Sequence, residues 1–301
     1  MRVHQDWDTA AFGLPTVSAH LGPFPGRDFL RAVTAHRRGD GVSLVESDDG
    51  LLALHREGHT VRMAGPASLT DYHSPRGTDV PGLVARWWPQ QPTGTALVWD
   101  SLPDRAARAV EEGLRAGGGS PRREQTEVAA VLHLPPTFDD YLHMVGKKER
   151  HEIRRKTRRY LRGLGEARHR THRDPGWGME EFIRLHRLAS GAKGQFMDEE
   201  NTRLFRRLAG LRGWRVDLLD TGDGAAACVF GYSDADCYYL YNSSFDPTYS
   251  ALSPGVVLLS SMIEQVIGEG LTRFDFLKGN ETYKRRLGAV HRPLYTVSCQ
   301  K

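Results

Sequence analysis

The chain has 301 residues, with 41 Lys or Arg against 37 Asp or Glu and a formal net charge of +4. A hydrophobic fraction of 39% is enough for a buried core and too high for a disordered tail, and the length suits one large domain or two ordinary ones. Three cysteines, Cys228, Cys237 and Cys299, form no CxxC pair, which argues against a disulfide scaffold and for buried thiols in a reducing compartment. There is no apolar run of about 18 residues and no apolar segment near Met1, so neither a membrane span nor a secretory leader is expected, and the expected location is cytoplasmic.

The first half reads as short strands and turns. Residues 41–46 and 51–55 flank Asp48, Asp49 and Gly50 and predict a hairpin, with further strands over 61–64 and 95–99. Residues 103–115, rich in Ala, Arg, Glu and Leu, predict a surface helix. The Gly-rich stretch 116–121 reads as a linker or a long loop. Residues 128–134 predict a strand closed by Pro135 and Pro136. Thr137 is placed to cap a helix that carries Asp139 and Asp140 in its first turn.

Positive charge concentrates between Lys147 and Arg162, where nine Lys or Arg stand against two Glu, a local +7 in a chain of +4. Ile153, Thr157, Tyr160 and Leu164 fall on one helical face, and Gly165 is a stop signal. The basic remainder is either a solvated surface or a contact for an anion. No aromatic stacking pair interleaves it, and no helix-turn-helix or zinc spacing accompanies it, so RNA or DNA binding is not favoured.

A helix follows over 177–188 with Phe182, Leu185 and Leu188 on its apolar side. Asp198 is placed to cap the next, which carries Leu204, Phe205 and Leu208. The period then changes, and 214–219, 225–231 and 236–241 predict three consecutive antiparallel strands. Ser253, Pro254 and Gly255 open an apolar helix to Ile267 that Gly270 ends. A strand over 273–277, a polar loop over 278–281, the basic segment 283–286 and a last strand over 291–299 complete an α+β pattern.

Two places carry chemistry. Ser253 is a good capping type, Pro254 suits the first helical position and Gly255 leaves backbone N–H groups uncovered, so the helix start is either an ordinary capped end or a seat for a phosphate. Asp275 alternates with Phe274 and Phe276 and therefore faces away from both rings. It is either a structural partner of Lys278, Lys284, Arg285 or Arg286, or a group that orients an amine. Tyr283 is either a packing ring or a proton donor to a leaving thiolate. The thirteen histidines are scattered; His169 and His172 lack a third ligand nearby, so no metal is expected. No GxSxG elbow or GxxxxGK[ST] loop occurs.

Together, the run Tyr239–Tyr249, Ser253 to Gly255, Leu258 and Leu259, Gly270 and Leu271, Phe274 to Phe276, Gly279, and Tyr283 with Lys284 resemble the BioF2-like (CelD-like) acetyltransferases of the GNAT superfamily. That family is similar to the FemAB aminoacyltransferases. Ile153 to Arg155, Leu185 to Arg187 and Gly194 to Phe196 fit as well, and the resemblance covers about 140–288, with Asp71 and Tyr72 its one N-terminal echo. It implies an α+β GNAT acyl-CoA N-acyltransferase fold in two GNAT-like halves, with mixed central sheets flanked by helices. The halves are expected at 1–135, degenerate, and 136–301, with the donor site. The implied co-substrate is acetyl-CoA or another acyl-CoA. Ser253, Pro254, Gly255, Val256, Lys278 and Lys284 are its implied binding residues. Asp275 and Tyr283 become the catalytic candidates, and His186, Phe196 and Tyr241 the substrate-binding ones. The usual Arg/Gln-x-x-Gly-x-Gly/Ala loop is replaced by residues 249–255.

The leading expectation is acyl transfer from acyl-CoA to an amine of a small molecule or peptide, with no membrane partner. The alternatives are an aminoacyl-tRNA-dependent transferase, which the basic helix favours and the lack of a long helical arm disfavours, and a non-catalytic acyl-CoA-binding protein on the same scaffold.

Overall fold

A computed structural model describes residues 1–36, 41–174, 176–222 and 224–301. The elements, in chain order, begin with β1 (Arg2–His4), α1 (Arg27–His36), β2 (Val42–Ser47), β3 (Gly50–Glu57), β4 (Thr60–Met63), β5 (Arg76–Gly77) and α2 (Val80–Trp87). Then come β6 (Ala96–Pro103), α3 (Asp104–Ala116), β7 (Arg122–His133), α4 (Phe138–Met144), α5 (Gly146–Leu164), β8 (Arg168–His172), α6 (Trp177–Leu188), α7 (Ala192–Phe196) and α8 (Glu199–Ala209). The chain ends with β9 (Trp214–Asp220), β10 (Ala225–Ser233), β11 (Cys237–Phe245), a 3-10 turn (Pro247–Leu252), α9 (Pro254–Gly268), β12 (Arg273–Lys278), α10 (Thr282–Arg286) and β13 (Val290–Gln300).

The chain packs as two units, Met1–Ala129 with Arg292–Lys301, and Ala130–His291. In the first, the strands run in the order β1-β2-β3-β4-β6-β13, and all neighbours are antiparallel except β4 and β6. Its core joins Leu52, Val84, Trp87, Trp99 and Val110, where one face of the sheet meets α2 and α3.

In the second unit the order is β8-β9-β10-β11-β12, antiparallel up to β11 and parallel between β11 and β12. Helices cover both faces. On one, α5 and α9 bring Ile153, Tyr160, Val257, Met262 and Ile263 onto Val229, Tyr238, Phe274 and Phe276. On the other, Phe182 of α6 and Phe205 of α8 stack on each other at 5.6 Å and meet Phe230 of β10. A mixed sheet flanked by helices is the GNAT arrangement.

Local signals account for most element ends. Thr137 Oγ1 accepts from Asp140 N at 3.1 Å, and Asp198 Oδ1 accepts from Asn201 N at 2.7 Å, so both side chains cap helices as their types predict. Gly165 ends α5 at φ 82°, a conformation that costs a residue with a Cβ. Other expectations change. Residues 117–121 are a short turn between α3 and β7, not a linker, and β7 starts six residues before the expected strand. The segment 282–286 is a helical turn, α10, where a basic loop was expected. The helices α1, α2 and α7 and the strand β8 lie outside the expected elements, although Asp79 and Pro81 mark the start of α2.

One buried polar network stiffens the β8–β9 edge. Asp217 is fully buried and lies 2.9 Å from His169 Nε2, while Thr171 Oγ1, Arg215 Nε and Tyr238 Oη donate to it at 2.7, 3.0 and 3.1 Å. Burial alone pushes its carboxyl up, yet His169, Arg215 and Thr171 outweigh this and hold it below the usual carboxylate range.

Candidate functional site

Strands β11 and β12 pair at three positions only: Cys237 with Arg273, Tyr238 with Phe274 and Tyr239 with Asp275. Beyond these β11 continues to Phe245 and β12 to Lys278 with no further pair between them among the described residues. The two parallel strands therefore part toward their C-terminal ends. Past Tyr239 the edge of β11 that β12 has paired is no longer laddered to β12 among the described residues.

Each strand has a local device at the parting. In β11, Gly231 opposes Leu240 and Phe230 opposes Asn242, so Tyr241 is an extra residue, a bulge that bends the strand. In β12, Leu277 is left-handed at φ 59°, a conformation that branched side chains rarely adopt. Asp275 Oδ1 accepts from Leu277 N at 2.8 Å and so holds this bend.

The start of α9 follows β11 through the 3-10 turn. Ser253 is left-handed at φ 56° and ψ 49°, and its side chain makes no capping bond. The expected serine cap is thus corrected: the left-handed backbone turns the hydroxyl away from the first helical turn. Ser253 Oγ instead accepts from Arg159 Nη2 of α5 at 2.7 Å. Val256 N and Val257 N point to Ser253 O at 3.1 and 3.3 Å. A Cβ added at Gly255 would meet nothing within 4 Å, so the space before the first turn is open. Pro254 is buried in the first turn. An open helix start, positive through its dipole and beside a guanidinium, can hold an anion.

Arg159 is the member of the basic helix that serves this place; its Nε is buried without a hydrogen-bond partner. The neighbouring Tyr160 phenol is buried and unpartnered too, and burial pushes it up to about 12. The other cations of α5 divide. Arg155 is tied to Glu152 at 2.8 and 2.9 Å, whereas Lys147, Arg154, Arg158 and Arg162 stand on the solvent side.

The remaining sequence candidates fall into three groups. Asp275 lies at the parting, buried, opposite Tyr239. Tyr283 packs against Phe276 at 6.2 Å and belongs with the core on the α9 side, and burial raises its phenol. Strand alternation sends Asp275 to the face away from Phe276, the ring that Tyr283 packs against. Lys284 is buried with its ammonium 3.0 Å from Glu281, and it donates to the carbonyls of Leu277 and Lys278. It clamps the end of β12, and Lys278 lies at that end with its carbonyl in the clamp.

His186, Phe196 and Tyr241 share one aromatic cluster. His186 is 5.8 Å from Phe196, Phe196 is 5.9 Å from Phe205, and Phe205 is 5.6 Å from Tyr241. His186 Nε2 lies 2.9 Å from Asn242 Oδ1, beside the bulge, and that oxygen also accepts from Ser243 N at 2.8 Å. The oxygen is thus an acceptor, which leaves the proton on Nε2 and the lone pair on Nδ1. Nδ1 is buried without a partner, and burial lowers the pKa of the ring. Asn242 escaped the sequence reading, although it sits inside the Tyr239–Tyr249 run. Among the described residues no group of three or more His, Cys, Asp or Glu is placed to hold a metal ion. No helix among them is long and apolar enough to cross a membrane.

Residues 147–285 match the family model described as an acetyltransferase (GNAT) domain. Among solved structures, a conserved protein of unknown function from Bacteroides thetaiotaomicron is similar with a TM-score of 0.65 at 11% identity, covering 96% of this chain and 95% of that one. L-PGS from Bacillus licheniformis is similar at 0.59 and 12% identity, over 92% and 93%. FemX is similar at 0.59 and 11% identity, over 98% and 97%. At such identities the likeness is one of fold. No curated protein sequence matches the chain.

Proposed function

We propose that the donor of this N-acyltransferase, whose residues 147–285 match the acetyltransferase (GNAT) domain model, is an acyl-CoA, most simply acetyl-CoA, and its acceptor an amine of a small molecule or peptide. The carrying observation is the open start of α9 at Gly255, next to Arg159, where β11 and β12 part. Ser253 to Val256 and Arg159 would take the pyrophosphate. The edge of β11 past Tyr239 would hold the acyl-bearing arm and offer N–H groups to the developing oxyanion. The amine attacks the thioester carbonyl, the C–S bond breaks, and the thiolate leaves with the sulfur's electron pair. The amine proton passes to water or a base. Positioning of the two reactants supplies much of the rate.

Asp275 fits a positioning task, since its carboxylate fixes the bend at Leu277. His186 fits one as well, since it holds Asn242 beside the bulge. A cytoplasmic location agrees with three buried free thiols.

Isothermal titration of CoA into wild type and Gly255→Glu tests the donor site. The added carboxylate enters open space and repels a phosphate there, so affinity should fall at least ~10-fold with the fold intact. Unchanged affinity in a folded variant removes the donor from this helix. Native mass spectrometry with a panel of acyl-CoAs then identifies the acyl group.

A further inference from the structure

The first unit contains its own parted pair. Strands β4 and β6 are parallel and pair only at Thr60 with Ala96 and Val61 with Leu97. Near the end of β6, Ser101 is left-handed at φ 59°, the same value as Leu277 in β12. His73 lies across the parting, with Nδ1 3.0 Å from Asp100 O and Nε2 3.1 Å from Gly65 O. A cavity of about 860 Å³ opens here, bounded by Met63 at the end of β4, Gly65 after it, Asp100 of β6, and α1. That is the size of a small-molecule site.

The cavity's chemistry differs from that of the α9 start. Its ionised walls are Arg31 and Arg62 against Glu57 and Asp100, two charges of each sign. Arg62 is held loosely, with Nε 3.8 Å from Glu57. His55 and Arg62 are cross-strand partners and share one face, while Leu54 and Met63 turn to the other. The helix that follows β4, α2, is capped by Asp79, whose Oδ1 accepts from Gly82 N at 2.9 Å. A carboxylate of the chain thus occupies the position that α9 leaves open, and a pyrophosphate would meet repulsion.

We infer that the cavity between β4, β6 and α1 binds a zwitterion carrying both an amine and a carboxylate, of the free amino acid or short peptide class, and not a second acyl-CoA. Arg62 takes the carboxylate and Glu57 the ammonium, while Arg31, bonded to Asp8 at 3.0 Å, and Asp100, which accepts from Ser101 Oγ and lies 3.4 Å from His73 Nδ1, add charge to the walls. The inference rests on the donor reading above only for its contrast with α9.

The test is saturation-transfer NMR on the full chain with the common free L-amino acids and glycyl dipeptides as probes, with and without CoA. At least one probe should bind wild type with a Kd below ~10 mM, and CoA should not displace it. Arg62→Gln should weaken that probe at least ~5-fold through the lost charge-assisted bond. Ala67→Trp, at the exposed rim, should abolish binding by filling the space, while CoA affinity stays within ~2-fold of wild type. Absence of any bound probe, displacement by CoA, or binding that survives Ala67→Trp in a folded protein overturns the inference. The donor reading fails separately, by loss of CoA binding to wild type while the zwitterion still binds.

Discussion

Arg159 donates from its guanidinium to the hydroxyl of Ser253, 2.7 Å away and 94 positions later in the chain. This bond joins the most basic helix to the start of the helix where the donor is proposed to dock. It gives the hydroxyl of the left-handed, non-capping serine a charged partner. A left-handed non-glycine residue is costly and persists where its surroundings fix it. Arg159→Gln should weaken CoA binding about 10-fold, since a charge-assisted contact is lost, and shift Tm by only ~2 °C. Titration calorimetry beside a melting curve checks both. Affinity within ~2-fold of wild type would separate Arg159 from the donor.

His186 carries a pH dependence whose sign follows from its burial. Burial lowers its pKa in the folded chain, so the unfolded chain binds the proton more readily. The stability it contributes is complete above the unfolded value of about 6.5 and is lost as pH falls below it. His186→Gln should flatten the loss as pH falls below about 6.5 in chemical denaturation. Parallel wild-type and variant curves through this window would show that the ring takes no part in it.

Asp275 separates two accounts by two substitutions. If it fixes Leu277, Asp275→Asn keeps an acceptor oxygen and should leave kcat within ~3-fold. Asp275→Ala strands a buried N–H and should cost about 1–3 kcal/mol of stability. If it acts on the amine, Asp275→Asn should lower kcat ~100-fold at unchanged Tm. The hydrogen bond to Leu277 favours the first outcome. Tyr283→Phe follows the same logic: a packing ring leaves kcat within ~2-fold, whereas a proton donor to the thiolate costs on the order of 10-fold. Its place on the α9 side of β12 favours the smaller effect.

The outer face of α5 bears on the tRNA alternative. Lys147, Arg154, Arg158 and Arg162 face solvent, whereas Tyr160, which lies between Arg158 and Arg162 along the helix, is buried and offers no ring to a base. Phosphate contacts without stacking give weak, salt-sensitive binding. Gel-shift titration with bulk tRNA at about 150 mM salt should show no complex below ~1 μM protein. A tight complex with a steep salt slope would promote the aminoacyl-tRNA reading over acyl-CoA.

Local patterns in the sequence determined most of the secondary structure and part of the site. The spacing of Ile153, Thr157, Tyr160 and Leu164 fixed the buried face of α5, and Gly165 its end. Thr137 and Asp198 marked helix starts because a cap bonds within three residues of itself. The apolar run after Pro254 marked α9, and alternation set Asp275 against its two phenylalanines. Tertiary structure decided what depends on partners far away in the chain. The bulge at Tyr241 exists only in register with β10, and the parting of β11 from β12 only in the pairing that stops at Tyr239. The return of residues 292–301 to the first unit is likewise a long-range pairing, with β6. Ser253 looked like a cap because its type is one. Arg159, arriving from another helix, gave its hydroxyl a charged partner and left the start of α9 open.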